Sequence, residues 1–163
     1  MRRKDREVTD FSEIVSIIEK CDVCRIALND ENFPYIIPLN FGLNVTEDNV
    51  IELYFHGATE GTKLKLIEKD NRASFEADCE HRLVTDAANC SCTMEYRSVI
   101  GRGHIEMIPD EEKYEALCIL MKHYHMGKVP FEFDESVMKR TAVFKLVVEN
   151  VTGKVRMKSH DNQ

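Results

Sequence analysis

The stretch "YFHGATEGTKLKLI", residues 54–67, joins an aromatic strand end to a short helix through a turn that carries Gly57 and Gly61. The preceding "VIELYFH" (50–56) alternates apolar and polar residues, which predicts a strand ending at His56. Residues 60–69 place Leu64 and Ile67 on one face of a short helix. The glycines let backbone approach closely. Free N–H groups at the helix start, with the Lys63 ammonium and a Thr59 or Thr62 hydroxyl, can hold a phosphate. The stretch is not a P-loop: in GxxxxGK[ST] the lysine directly follows the last glycine and a serine or threonine comes next. Here Thr62 intervenes, Leu64 follows Lys63, and the surrounding α/β unit is missing. On spacing alone an ordinary strand-turn-helix corner with a solvated lysine remains open beside the anion cradle.

Working outward, Asp10 and Glu13 form a capping-box pattern before Phe11, Ile14, Val15, Ile17 and Ile18, predicting a helix over 11–20. "VCRIAL" (23–28) reads as a strand, "NDEN" (29–32) as a turn, and "FPYIIPLNFGLNV" (33–45) as one or two strands bent or edged by Pro34 and Pro38. "RASFEAD" (72–78) reads as a strand and 81–90 as an irregular connection. "CTMEYRSVIGRGHIEMI" (92–108) reads as a long strand bent at Gly101 or Gly103. A second helix is predicted over 110–125, with Glu111 and Glu112 complementing the dipole at its start. Residues 134–139 fit a further helical turn, and "TAVFKLVVENVTGKVRMK" (141–158) is strongly β in character. Strands joined by short links without βα alternation point to a mainly β fold, an antiparallel β-barrel with added α-helices. The expectation is a single domain over 1–163, with an N-terminal arm at 1–9 and a frayed tail at about 158–163.

The net charge of -7 argues against nucleic acid or an anionic membrane as the main partner, so any anion must be held locally. The basic start, Arg2, Arg3, Lys4 and Arg6, is followed by no apolar signal-peptide core, and no apolar run reaches the about 18 residues that span a bilayer. A cytoplasmic location is the expectation. Cys21 and Cys24 form a CxxC, but no second pair matches it, and Cys90 and Cys92 are spaced differently. The six cysteines are therefore read as reduced, mostly buried thiols, with no metal site.

"RRKDREVTD" (2–10), "PYIIPLNFG" (34–42), the 53–67 stretch and "YRSVIGRGHIE" (96–106) occur in this order. Together they resemble the pyridoxamine 5'-phosphate oxidase-related flavoproteins, in the branch similar to nitroimidazole-resistance (Nim-type) proteins. The resemblance runs to about residue 157. It implies a six-stranded antiparallel split β-barrel of Greek-key, FMN-binding type, forming a homodimer with FMN at the subunit interface. Carried onto these residues, it places Gly57, Ala58, Thr59, Thr62 and Lys63 on the FMN phosphate, and Pro38, Leu39 and Asn40 beside the isoalloxazine. His56 would stand near the flavin as the candidate catalytic residue. Arg97, Ser98 and Val99 would line the same cleft, and the basic residues of "VTGKVR" (151–156) would reach the partner's cofactor.

The implied function is an FMN-dependent oxidoreductase that reduces small aromatic or nitro compounds. A flavin-binding module without turnover, or a split barrel using haem or a deazaflavin, is the alternative. Pyridoxamine phosphate oxidase activity itself is not expected, since that enzyme's basic substrate-phosphate set is not found. His56, whose unperturbed pKa is about 6.5, is read either as a structural hydrogen-bonding residue or as a proton donor. His123 and His125 sit at i,i+2 on the second helix, so they face different sides and are read as solvent or interface residues. His81 and His104 show no partner pattern. Arg102, between two glycines, is read as an exposed strand residue.

Overall fold

The computed structural model describes residues 3–86, 90–124 and 131–157. His125 and the 158–163 tail lie outside the described residues. One antiparallel sheet organises the chain. Its strands are β1 (Glu7–Val8), β2 (Cys24–Leu28), β3 (Tyr35–Leu39), β4 (Gly42–Val45), β5 (Ile51–Ala58), β6 (Arg72–Asp86), β7 (Ser91–Met107) and β8 (Thr141–Arg156). The order across the sheet is β3-β2-β6-β7-β8-β5-β4, with β1 added on β8. Beyond the six strands implied for the barrel, the two-residue β1 and four-residue β4 also join the sheet.

The connectivity forces the sheet to curl. The two edge strands, β3 and β4, are consecutive in the chain and joined only by Asn40 and Phe41. A flat sheet of seven strands would hold its edges about 29 Å apart at about 4.8 Å per strand. A link this short reaches only about 11 Å. The edges therefore meet at this link while β3 and β4 stay unpaired, which is a barrel split along one seam. Two bulges shape the long strands. Pairing of β7 with β8 shifts between Arg102 and Gly103, where a side chain at Gly103 would collide with the Val147 carbonyl. Pairing of β6 with β7 shifts between Cys79 and Arg82, with Glu80 at φ 55°.

That second bulge corrects the sequence reading. Residues 81–86 continue β6 as half of a long hairpin with β7, not as an irregular connection. The extra residue at Glu80 puts the apolar alternation out of phase, so a period-2 reading breaks there.

Among the described residues, four helices dress the barrel: α1 (Phe11–Glu19), α2 (Thr62–Lys69), α3 (Lys113–Tyr124) and α4 (Glu135–Lys139). Asp10 caps α1 by accepting from the Glu13 N–H at 2.9 Å, and Ile14, Ile17 and Ile18 are buried in the main core with Phe55, Phe75, Phe144 and Leu146. A 3-10 turn at Asp110–Glu112 precedes α3, which lies across β4 and β5. The helix approaches so closely that a Cβ on Gly42 would stand 2.5 Å from the Leu120 backbone.

The end of α3 also staples the seam. Tyr124 Oη donates to the Asp22 carbonyl at 2.7 Å and accepts from the Phe41 N–H at 3.0 Å. His123 Nε2 bonds the Cys21 carbonyl at 2.8 Å, and its ring packs on Phe41 at 4.4 Å. His123 is thus a structural residue that ties the seam, in place of the solvent or interface role read from its spacing. No helix among the described residues is long and apolar enough to cross a membrane.

Candidate functional site

The corner at 56–63 is built from three local facts. β5 ends at Ala58 while still paired to β8, with His56 opposite Val143 and Gly57 opposite Ala142. Gly61 then stands at φ 139°, ψ 172°, a conformation L side chains rarely adopt, and starts α2. No side chain caps α2. Its first N–H groups and the positive end of its dipole therefore face outward, next to Lys63.

Lys63 folds back over the strand. A Cβ built on Gly57 would lie 2.5 Å from Lys63 Nζ and 2.8 Å from Cε, and nothing else stands within 4 Å of it. The missing side chain of Gly57 is the space the ammonium occupies. Among the described residues no carboxylate pairs with Lys63, whereas Lys20, Lys69, Lys113 and Lys145 all have acidic partners. Ala58, Thr59 and Thr62 are exposed around it. The residues fit a phosphate: a half-buried cation, an uncapped helix start and two hydroxyls in one corner.

His56 points the other way, to the outside of the strand. It is open to solvent on one side and flanks a cleft of about 260 Å³ on the other, among Leu117, Leu120, Met121, Phe133 and Met138. Desolvation on the cleft side, then the nearby Lys63 charge, lower its pKa below the ordinary 6.5. The imidazole is thereby held neutral at neutral pH. This cleft between α3 and α4 is what sequence reasoning missed. Leu117 and Met121 repeat at helical spacing, a signal indistinguishable from a helix's core stripe.

The remaining candidates lie elsewhere in the chain. Pro38 and Leu39 end the edge strand β3, and the Asn40 amide donates to the Asp22 carbonyl at 3.1 Å. Arg97 is engaged by Glu80 at 2.6 Å and Glu13 at 3.6 Å, Ser98 is half-buried opposite Asp78, and Val99 is fully buried in the core. Ser98 pairs with Lys154, eleven residues along β8 from the Val143 that faces His56. At about 3.3 Å per residue that is about 36 Å of strand if straight. One chain therefore brings together His56, Gly57, Ala58, Thr59, Thr62 and Lys63, and leaves Arg97, Ser98 and Val99 at the far end of β8. In the C-terminal segment, Lys154 sits over the Tyr96 ring at 5.3 Å.

Among the described residues, two further histidines have carboxylate partners. His104 bridges Glu106 and Glu149 at 3.1 Å each, and His81 pairs with Asp78 at 2.6 Å. The six cysteines form no disulfide; Cys21, Cys24 and Cys79 are buried, Cys118 is partly so, and Cys90 and Cys92 are exposed. Burial pushes the three inner thiols up and keeps them protonated, hence inert.

Residues 10–155 match the family model described as pyridoxamine 5'-phosphate oxidase. The chain belongs to that family. Within it, the chain is similar to a solved protein of Bacteroides thetaiotaomicron described as a 5-nitroimidazole antibiotic resistance protein. The identity is 33%, covering 91% of this chain and 86% of the other, with a TM-score of 0.78. This places it on the nitroimidazole-resistance side of the family. Two more distant structures share the fold. An FAD and haem binding protein of Mycobacterium smegmatis is 20% identical over 97% of this chain and 77% of its own, with a TM-score of 0.80. A flavocytochrome of Azotobacter vinelandii is 21% identical over 97% and 72%, with a TM-score of 0.77. No curated protein matches the chain.

Proposed function

We propose that the chain is a flavin-binding oxidoreductase that holds FMN and reduces small aromatic or nitro compounds. The observation that carries this is the Lys63 ammonium, lodged over Gly57 at an uncapped helix start with no acidic partner among the described residues. An FMN phosphate, with close to two negative charges, satisfies that corner through charge-assisted hydrogen bonds from Lys63 and the α2 amides. Bound FMN would supply the electron transfer. His56 keeps a neutral ring, able to donate one hydrogen bond to an acceptor atom of a substrate while its other nitrogen stays free.

The reading includes a homodimer with the flavin between subunits. A single chain separates Lys63 from Arg97 and Ser98 by the length of β8, so a two-fold partner is what returns that strand to the cradle. Ile36 and Ile100 support an interface on the outer sheet face: they are 64% and 59% exposed on neighbouring rows of β3 and β7. Pro38 shares that face with Ile36, while Leu39 turns toward the core.

The test is purification followed by absorbance, cofactor mass and light scattering, then turnover of a nitroimidazole with an electron donor. Flavin bands, an FMN mass, a dimer and turnover are expected. A colourless protein that refuses added FMN, or one with a haem Soret band, overturns the reading. FMN binding without turnover reduces it to a flavin-binding module.

A further inference from the structure

The cleft beside His56 is too small for a drug-sized ligand. Its volume of about 260 Å³ lies below the about 300–1,000 Å³ of such sites, so it accommodates one or two rings. Its walls are apolar: Leu117 and Leu120 are buried, and Phe133 and Met138 pack against a smaller second core of Tyr54, Ile108, Ala116, Leu117 and Val143.

His56 lines the cleft, and Lys63, which does not, is near enough to lower its pKa. Two carboxylates, Glu132 and Asp134, also line the cleft. Asp134 is committed to α4, accepting from the N–H groups of Ser136 at 2.8 Å and Val137 at 3.2 Å. Glu132 is exposed, and among the described residues no cation lies within ion-pair distance of it. Among the described lining residues the cleft thus combines an apolar floor with carboxylates and no lysine or arginine. Such a field orients a ligand and discriminates by charge.

We infer that the cleft between α3 and α4 binds a small one- or two-ring compound bearing a cationic amine, its ring against the apolar walls toward His56 and its amine at Glu132. An anionic ring compound meets two carboxylates and, among the described lining residues, no lysine or arginine. That this cleft is the substrate pocket rests on the flavin reading above; the ligand class rests on the cleft alone.

The test is calorimetric titration of the full chain, with and without FMN, using 2-naphthylmethylammonium, 2-naphthylmethanol and 2-naphthoate. The ammonium compound is expected to bind about tenfold tighter than the carboxylate, with the alcohol between, as fits partly exposed charges. Glu132→Gln should weaken the ammonium compound about threefold and leave the alcohol unchanged. Val137 lines the cleft and is 53% exposed, so Val137→Trp fills the space without disturbing the core and should abolish binding of all three. Equal affinity for carboxylate and ammonium, no effect of Glu132→Gln, or normal binding by a folded Val137→Trp overturns the inference. The two readings fail separately. FMN binding without ammonium binding sinks this one and spares the flavin. Ammonium binding by a chain that takes no FMN sustains the ligand class and sinks the flavin reading.

Discussion

Substituting Gly57 by alanine tests the cradle without deleting its lysine. An added Cβ would stand 2.5 Å from Lys63 Nζ, and ordinary van der Waals contact begins near 3.4 Å, so the ammonium must retreat by about 1 Å. Gly57 lies in paired strand with no positive φ, so alanine is tolerated by the backbone, and the only atoms displaced belong to the end of a flexible side chain. Moving a unit charge from about 3 to about 4 Å from a phosphate oxygen loses about 1.4 kcal/mol per opposing charge at an effective dielectric of about 20. Partial exposure of Lys63 screens that loss, which leaves about 1–2 kcal/mol, or about five- to thirtyfold in FMN affinity.

The assay is flavin fluorescence titration with FMN and, in parallel, with riboflavin, which has the ring but no phosphate. Gly57→Ala should weaken FMN by that factor, leave riboflavin within about twofold, and leave the melting temperature unchanged or slightly higher. Lys63→Ala should show the same pattern with a larger loss. If FMN and riboflavin weaken together, the substitution has disturbed the ring site instead. If FMN affinity does not change although the protein is folded, Lys63 does not hold the phosphate, and the reasoning from its position fails.

Three other expectations follow from the same geometry. In an NMR titration of the FMN-free protein, His56 should protonate below the ordinary 6.5, and Lys63→Met should move its midpoint upward by removing the adjacent positive charge; because the folded midpoint is depressed, its contribution to stability is present above pH 6.5 and lost as pH falls through that midpoint. Glu52 is buried, and although burial alone would raise its pKa, bonds from Lys145 at 2.6 Å, Asn44 and Tyr54 outweigh it and hold the carboxyl below 4.5; Lys145→Met should cost about 2–3 kcal/mol in urea unfolding at pH 7 and less as pH falls toward 4, where the unpaired carboxyl can protonate, and an equal cost at both pH values would argue against the pairing. Ile100→Glu, at an exposed position where a monomer should lose no more than about 0.5 kcal/mol, is expected to give a monomer by light scattering and to weaken FMN; an unchanged dimer would remove that sheet face from the interface.

Legibility in the sequence followed locality. The α1 cap, the 50–56 strand, which runs on to Ala58, and the 60–69 helix, observed over Thr62–Lys69, each depend on residues within a few positions and were readable to within two residues. The 81–86 strand was not, because the left-handed Glu80 shifted the phase of its alternation. His123 was misread because its partners, Cys21 and Phe41, lie more than eighty residues away. The cleft was hidden for a similar reason: Met121 and Leu117 look the same whether a helix stripe meets a core or lines a hollow.

Arg97, Ser98 and Val99 show the limit most clearly. They entered through resemblance, and in the single chain they sit at the opposite end of β8 from Lys63, with Val99 wholly buried and Arg97 already paired. Side-chain contact between Val99 and a cofactor is thereby excluded unless the core opens, which leaves its backbone and the Ser98 and Arg97 side chains as the groups available. Arg97 can turn to a phosphate only by leaving Glu80 and Glu13, both of them partly exposed and weakly held. The exchange is cheap for that reason. A second subunit that presents Arg97 to the Lys63 corner would therefore need only two surface ion pairs to rearrange, not a refolded strand.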